Sequence, residues 1–235
     1  MININGDISE VYVGSTKISE VYIGSEMVYS AEPDVVIMTS ESNAAAMAVC
    51  YAQGWAANQD FMTLKEAKRV TSVGTAFASK SFSTFHEFQY FTGVTALGTG
   101  AFKSNTMSAI TLPSSLRTIG KQAFQLCTNL TQMIVPEGVT ATGEQWVWGC
   151  KKMSLIDLPS TVTTLTGYGI QPYDSKQVNY IVICRAVTPP TLGSYNYLTK
   201  LTAVYVPDDS VDAYKAKATW SNFSGKIHPL SDYNN

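Results

Sequence analysis

The stretch Leu116-Arg117-Thr118-Ile119-Gly120, followed by Ala123-Phe124, Cys127 and Val135-Pro136, decides the fold because the chain contains it more than once. Upstream, Val94-Thr95-Ala96-Leu97-Gly98 and Ala101-Phe102 occupy the same places. Downstream, Val139-Thr140-Ala141-Thr142-Gly143 and Cys150 do so again, and Leu112-Pro113, Val135-Pro136 and Leu158-Pro159 recur at intervals of 23. A period of this length belongs to architectures in which each turn supplies a strand and a return segment. One turn cannot bury its own apolar side, so the recurring apolar residues must stack between coils. The glycine reads as a bend that a Cβ would obstruct, and the proline as a strand end where a missing N–H costs nothing. This predicts one parallel strand per repeat, with Ile110, Ile134 and Ile156 at equivalent places and their side chains stacked. Phe124 is expected inside and Gln122 outside.

The flanks are different in character. Residues 41–54 read as a helix with polar first residues and a closing glycine, placing Cys50 in its core face. Thr63-Leu64-Lys65-Glu66 is a capping box that opens a second helix running to about Val70. Asp208 to Ala216 reads as an acidic-started helix after Val206-Pro207. Stacked coils need atypical ends, and these helices stand where caps belong. A shorter repeat lies ahead of them: Ile8-Ser9-Glu10-Val11-Tyr12-Val13-Gly14-Ser15 returns as Ile18-Ser19-Glu20-Val21-Tyr22-Ile23-Gly24-Ser25, and Val28-Tyr29 follows. Strand formers around Gly-Ser predict a three-stranded meander over residues 1–30, too small to bury a core alone. The fold class expected is β-rich α+β, a repeat solenoid with helical caps behind a small N-terminal β-meander. The boundaries are 1–30 for the β-repeat, 31–40 for a linker, 41–69 for the first cap, 70–207 for the solenoid and 208–235 for the last cap and tail.

Composition narrows the function. Sixteen basic residues against eighteen acidic ones give a net charge of −2 without a basic run, which argues against nucleic acid. Charged residues make up only 14%, so neutral polar and aromatic groups dominate the surface chemistry. Cys50, Cys127, Cys150 and Cys184 form no close pair, and His86 and His228 are remote from them, so no metal or other cofactor is expected. Trp55 to Glu66 has the outline of a calcium loop but lacks its acidic ligands, with Asp60 where the loop needs glycine. Met1 to Asp7 lacks the charged and apolar regions of a signal peptide, and no apolar run is long enough to span a bilayer. The expectation is a chain made in a cytoplasm with no export signal of its own and no membrane insertion. His86 beside Glu87 has no nucleophile motif, and Asp157 and Glu144 show no paired-carboxylate logic, so no enzyme is expected.

The pattern Gly-x-x-Ala-Phe-x-x-Cys-x-x-Leu from Gly120 to Leu130, followed by Val135-Pro136, resembles the surface-antigen class of leucine-rich repeats called BspA-like, common in gut Bacteroidetes. Glu87 to Thr95 looks like the family's lead-in coil. Thr188-Pro189-Pro190-Thr191-Leu192 and Val204-Tyr205-Val206-Pro207 look like its ending, so the resemblance covers about residues 63–230. It implies a protein of the adhesin type, secreted or lipid-anchored. The N-terminal repeat instead resembles segments of structural proteins from phages that infect the same bacteria. Together these imply a virion protein (a tail, fibre or capsid-decoration component) that is present in several copies. Its partners would be other virion proteins and a host surface glycan or protein. A bacterial surface adhesin and a carbohydrate-binding accessory module are the alternatives.

Candidate contact residues follow from the register. Trp146 and Val147 fall where Ala123 and Phe124 sit and read as a volume-compensated core pair. Trp148 matches the outward Gln125, so it is either a large apolar anchor for a partner or a packing residue against the next coil. Tyr168, Tyr173, Tyr180, Tyr195 and Tyr197 lie in the least regular stretch, where aromatics serve either as contacts or as filling for wider coils. Trp148, Tyr168, Tyr173, Tyr195 and Tyr197 are the binding candidates. Val11, Tyr12, Val13, Val21, Tyr22, Ile23, Val28 and Tyr29 form the candidate assembly segment. Cys127 and Cys150 fall one coil apart, about 4.8 Å between strands, and read as reduced core residues.

Overall fold

The computed structural model describes residues 35–172, 178–194, 198 and 200–233, with the backbone of 11–13, 16–18, 20–23 and 26–30. The chain divides into two compact units, Met1–Val35 and Val36–Asn235.

In the first unit, Val11–Val13 pairs antiparallel with Thr16–Ile18, and Glu20–Ile23 with Glu26–Ser30. Two separate hairpins therefore replace the expected meander. The partners flank Gly14-Ser15 in one case and Gly24-Ser25 in the other, so each copy of the short repeat closes on itself. Tyr12 pairs with Lys17, Val21 with Tyr29 and Tyr22 with Met27. Val28 is the extra residue of a bulge opposite the Val21/Tyr22 step.

The second unit is a stack of coils, and each full repeat gives two short strands rather than the expected one. One sheet takes Ala96–Leu97, Thr118–Ile119, Ala141–Thr142, Thr164–Leu165 and Thr191–Leu192, all parallel. The other takes Gln132–Ile134, Leu155–Leu158, Tyr180–Cys184, Leu201–Val206 and Ile227–Pro229, also parallel. Thr84–Phe85 and Ala109–Ile110 form a further parallel pair. Residues 36–39, read from sequence as linker, are a strand paired antiparallel with Phe61–Thr63, and Met38 is buried. Of the apolar run Val35-Val36-Ile37-Met38 only Met38 is buried, while Val35 and Val36 stay exposed. The strand Ile227–Pro229 likewise carries the second sheet into the stretch assigned to the last cap.

Register explains the core. Met133, Ile156, Val182, Val204 and Ile227 align across the second sheet and are buried. Ile134 pairs with Asp157 instead and is 49% exposed, so it does not stack with Ile156. A period of 23 leads from Ile110 to Met133, and adjacent strand residues face opposite sides. Phe77, Phe102 and Phe124 stack nearly parallel, at 5.3 Å and 5.2 Å between ring centres. The next coil replaces this phenyl and its neighbouring alanine by Val147 and Trp146, both fully buried, as the compensated pair requires.

Flanking helices start where their caps dictate. Helix α1, Ser40–Ala52, has Thr39 and Ser42 bonding each other's backbone N–H, and α2, Leu64–Arg69, has Thr63 and Glu66 doing the same. Asn43 of α1 donates to the Thr84 carbonyl at 2.9 Å. Helix α3, Val211–Ala216, follows a turn of 3₁₀ helix, and its Tyr214 hydroxyl donates to the Ala186 carbonyl at 2.7 Å.

The recurring glycine has a different purpose from the bend first inferred. Its φ is not positive at positions 98, 120, 143 or 193. The turn is made further on, at Gly100, Gln122, Gln145 and Tyr168, with φ of 69°, 56°, 57° and 64°. A Cβ on Gly120 would lie 2.6 Å from the Leu97 carbonyl oxygen, and one on Gly143 would enter the Gly120-Lys121 backbone. Gly98, whose strand Ala96–Leu97 is the edge of the first sheet, meets nothing within 4 Å. Gly143→Ala should therefore lower stability by about 1–3 kcal/mol through overpacking, while Gly98→Ala stays within about 0.5 kcal/mol of wild type. Equal midpoints for the two variants in a urea titration would contradict the close-approach account.

Candidate binding surface

After the left-handed residue each coil runs alongside the next. The amides of Gln122, Phe124 and Leu126 donate to the carbonyls of Glu144, Trp146 and Trp148 at 2.9, 2.7 and 2.8 Å. This pairing turns Trp146 and Val147 inward, and the Trp146 indole N–H donates to the Gly169 carbonyl at 2.8 Å. Trp148 comes opposite Gln125, which is buried at 6% exposure rather than outward as expected because its amide turns in to bond Gln145, and Trp148 itself is half-buried. Tyr168, at the left-handed place equivalent to Gln145, is also half-buried.

Three glutamines that the sequence reading did not single out as a group complete this face. The Gln145 Oε1 accepts from the Gln122 Nε2 at 3.1 Å and from the Gln125 Nε2 at 3.3 Å. The Lys103 Nζ reaches the Gln122 Oε1 at 3.5 Å. Lys121 and Glu144 form an ion pair at 2.7 Å across the same two coils, so those charges cancel locally. The 23-residue spacing of Gln122 and Gln145 was visible in the sequence, but a single glutamine pair carries no signal without the geometry.

The other candidates fall out as follows. Tyr180 is buried, its hydroxyl has no hydrogen-bond partner among the described residues, and burial pushes its ionisation well up, so it fills the interior rather than meeting a partner. Tyr173, Tyr195 and Tyr197 lie outside the described residues, as do the side chains of the assembly candidates from Val11 to Tyr29.

Carboxylates weighed as acid–base or metal groups have protein partners. Glu66 accepts from the backbone N–H groups of Ala57 and Thr63, both at 2.8 Å, which ties the calcium-like loop to α2. Asp157 takes a two-pronged bond from Arg185 at 2.9 and 2.8 Å. The Glu87 Oε2 receives the Asn43 Nδ2 at 3.4 Å, and the His86 Nδ1 lies 3.0 Å from the Thr111 hydroxyl. Among the described residues no three His, Cys, Asp or Glu side chains gather, and no helix is long and apolar enough to cross a membrane.

A family model, the BspA type leucine-rich repeat region, matches residues 60–214 in six copies. The chain belongs to that family. No curated protein matches it. BspA-type repeats are in general binding repeats rather than catalysts, and the parallel two-sheet stack seen here accords with leucine-rich-type repeats.

The cysteines serve that stack. All four are free and buried, and the thiols of Cys127 and Cys150 donate to the carbonyls of Phe102 and Phe124 at 3.1 and 3.2 Å. Burial pushes the Cys50 thiol up to about 12, that of Cys184 to about 11, and that of Cys150 well above the usual range. Thiols raised in this way stabilise the fold fully below the unfolded value, roughly 8.5, and lose that contribution as the pH rises through the folded value. Iodoacetamide at pH 8 should leave all four unmodified in the native protein and alkylate all four in denaturant. Native modification of any one, read by intact mass, would place that thiol at the surface.

Proposed function

We propose that the chain is a non-enzymatic structural protein of a phage virion, part of a tail, fibre or capsid decoration. In this reading residues 1–30 join other virion proteins. The coils of the second unit form a solenoid, covered at its ends by the flanking helices, that presents a surface to a host protein or glycan. The observation that carries the reading is the division at residue 35. Among the described residues the short repeat makes two two-stranded hairpins within one compact unit, and the repeat body, with its own extensive core, is the other. A lone hairpin is marginal in water, and its open edges suit pairing with strands of a partner chain. Many copies on one particle would let weak single contacts add up.

A second reading, a bacterial surface adhesin, is favoured by the family itself. A third, a carbohydrate-binding accessory module, is favoured by the partly exposed Trp148 beside the linked amides of Gln122 and Gln145.

Deleting residues 1–30 separates these roles. The shortened chain should melt cooperatively, within a few degrees of the full chain, and should no longer enter particles when expressed during infection. Retained incorporation, or failure of the shortened chain to fold, would overturn the anchor assignment. Absence of the full chain from purified particles would overturn the virion reading.

A further inference from the structure

We propose that the face made by Trp148, the Gln122 and Gln145 amides, and Tyr168 is a binding site for a neutral glycan. The inference rests on reading the repeat body as the recognition element and names the ligand class of that element.

Trp148 supplies a partly exposed aromatic plane fixed on a rigid coil, since its carbonyl accepts from the Leu126 amide and its N–H donates to the Gln145 carbonyl at 3.1 Å. An aromatic plane offers apolar area with few rotors to freeze, which suits the C–H face of a pyranose. A sugar also presents hydroxyls that both donate and accept, so its site needs both kinds of partner. Gln145 and Gln122 provide them. The Gln145 Oε1 is occupied by two donors, which fixes the amide plane. Among the described residues the Gln145 Nε2 donor has no protein partner and the Gln122 Oε1 acceptor meets only the Lys103 Nζ, at 3.5 Å, while Gln125 is buried beneath them and braces Gln145. Tyr168 adds a second half-exposed aromatic at the Gln145-equivalent place in the following coil.

Charge selects against the alternatives. With Lys121 and Glu144 neutralising each other at 2.7 Å, the face carries no cluster of one sign for a polyanion. It is also mainly amide and hydroxyl between its aromatics, whereas a protein interface has an apolar centre. Ile134 and its exposed neighbours on the second sheet fit a protein partner better, but nothing shows what covers them.

The test is affinity electrophoresis of the full chain through native gels containing mannan, dextran, xylan or β-glucan, with heparin as the polyanion control. Retardation is expected in at least one neutral gel and not with heparin. Trp148→Ala should weaken it at least tenfold. Gln145→Asn, which keeps a residue tolerant of the left-handed backbone but withdraws the amide, should weaken it several-fold. Tyr51→Ala, an exposed aromatic on α1, should leave it unchanged, and thermal melts check that each variant folds. No retardation in any neutral gel overturns the proposal, as does equal retardation of the two site variants and wild type. Binding of Trp148-dependent kind to a protease-sensitive, periodate-resistant cell-surface component would assign the face to a protein instead. Particle incorporation is scored in parallel, so a chain that assembles but ignores glycans defeats this inference and leaves the assembly reading standing.

Discussion

Successive coils lie so close that in three of them the residue after the first-sheet strand has no room for a β-carbon, whereas Gly98 has room and the equivalent Thr166 carries one. Gly120 sits against the Leu97 carbonyl, Gly143 against Gly120 and Lys121, and Gly193 against Gly167. At that separation the backbone amides of one coil reach the carbonyls of its neighbour. They do so in opposite senses on the two sides: Gly120 donates back to Leu97, whereas Phe124 donates forward to Trp146. Hydroxyls complete the pattern, with Ser108, Thr131 and Ser154 each donating to a carbonyl of the preceding coil. No coil can satisfy its own polar backbone or bury its own apolar side, so the repeat body is stable only as a stack.

That dependence divides the residues by tolerance. Inward places admit changes only if volume is kept, and the exchange of Ala123-Phe124 for Trp146-Val147 shows the rule operating inside one chain. Places nearer the surface are freer, and there the buried Gln125 of one coil becomes the half-buried Trp148 of the next. Function is expected where variation costs the stack nothing, which is why the proposed glycan face lies on the Trp148 side rather than at any core column. The N-terminal hairpins belong to a separate compact unit.

Much of the stack was legible because period and side-chain size repeat together. The register of Leu97, Ile119 and Thr142, the capping box at Thr63, and the inward pair Trp146 and Val147 all followed from spacing. The second sheet was misread by one residue at Ile134, since a run of three apolar residues, Met133 to Val135, hides which of them faces in. The glycine was assigned to a bend because its clash lies with another coil, which spacing alone does not reveal. Left-handed turns at Gln122 and Gln145 carry no glycine, so nothing marked them. The strand Val36–Thr39 was taken for linker because its antiparallel partner, Phe61–Thr63, is separated from it by a whole helix. The glutamine amides became a candidate site only when two coils placed three of them together.

If coils hold one another up, the energy must reside in contacts between them. A double-mutant cycle on Phe102 and Phe124, whose rings stack at 5.2 Å and 5° from parallel, measures one such contact directly. Urea unfolding of Phe102→Ala, Phe124→Ala and the double variant should give a coupling energy of about 0.5–1.5 kcal/mol. Strict additivity of the two substitutions, within about 0.3 kcal/mol, would mean that neighbouring coils are stabilised independently and would contradict the account.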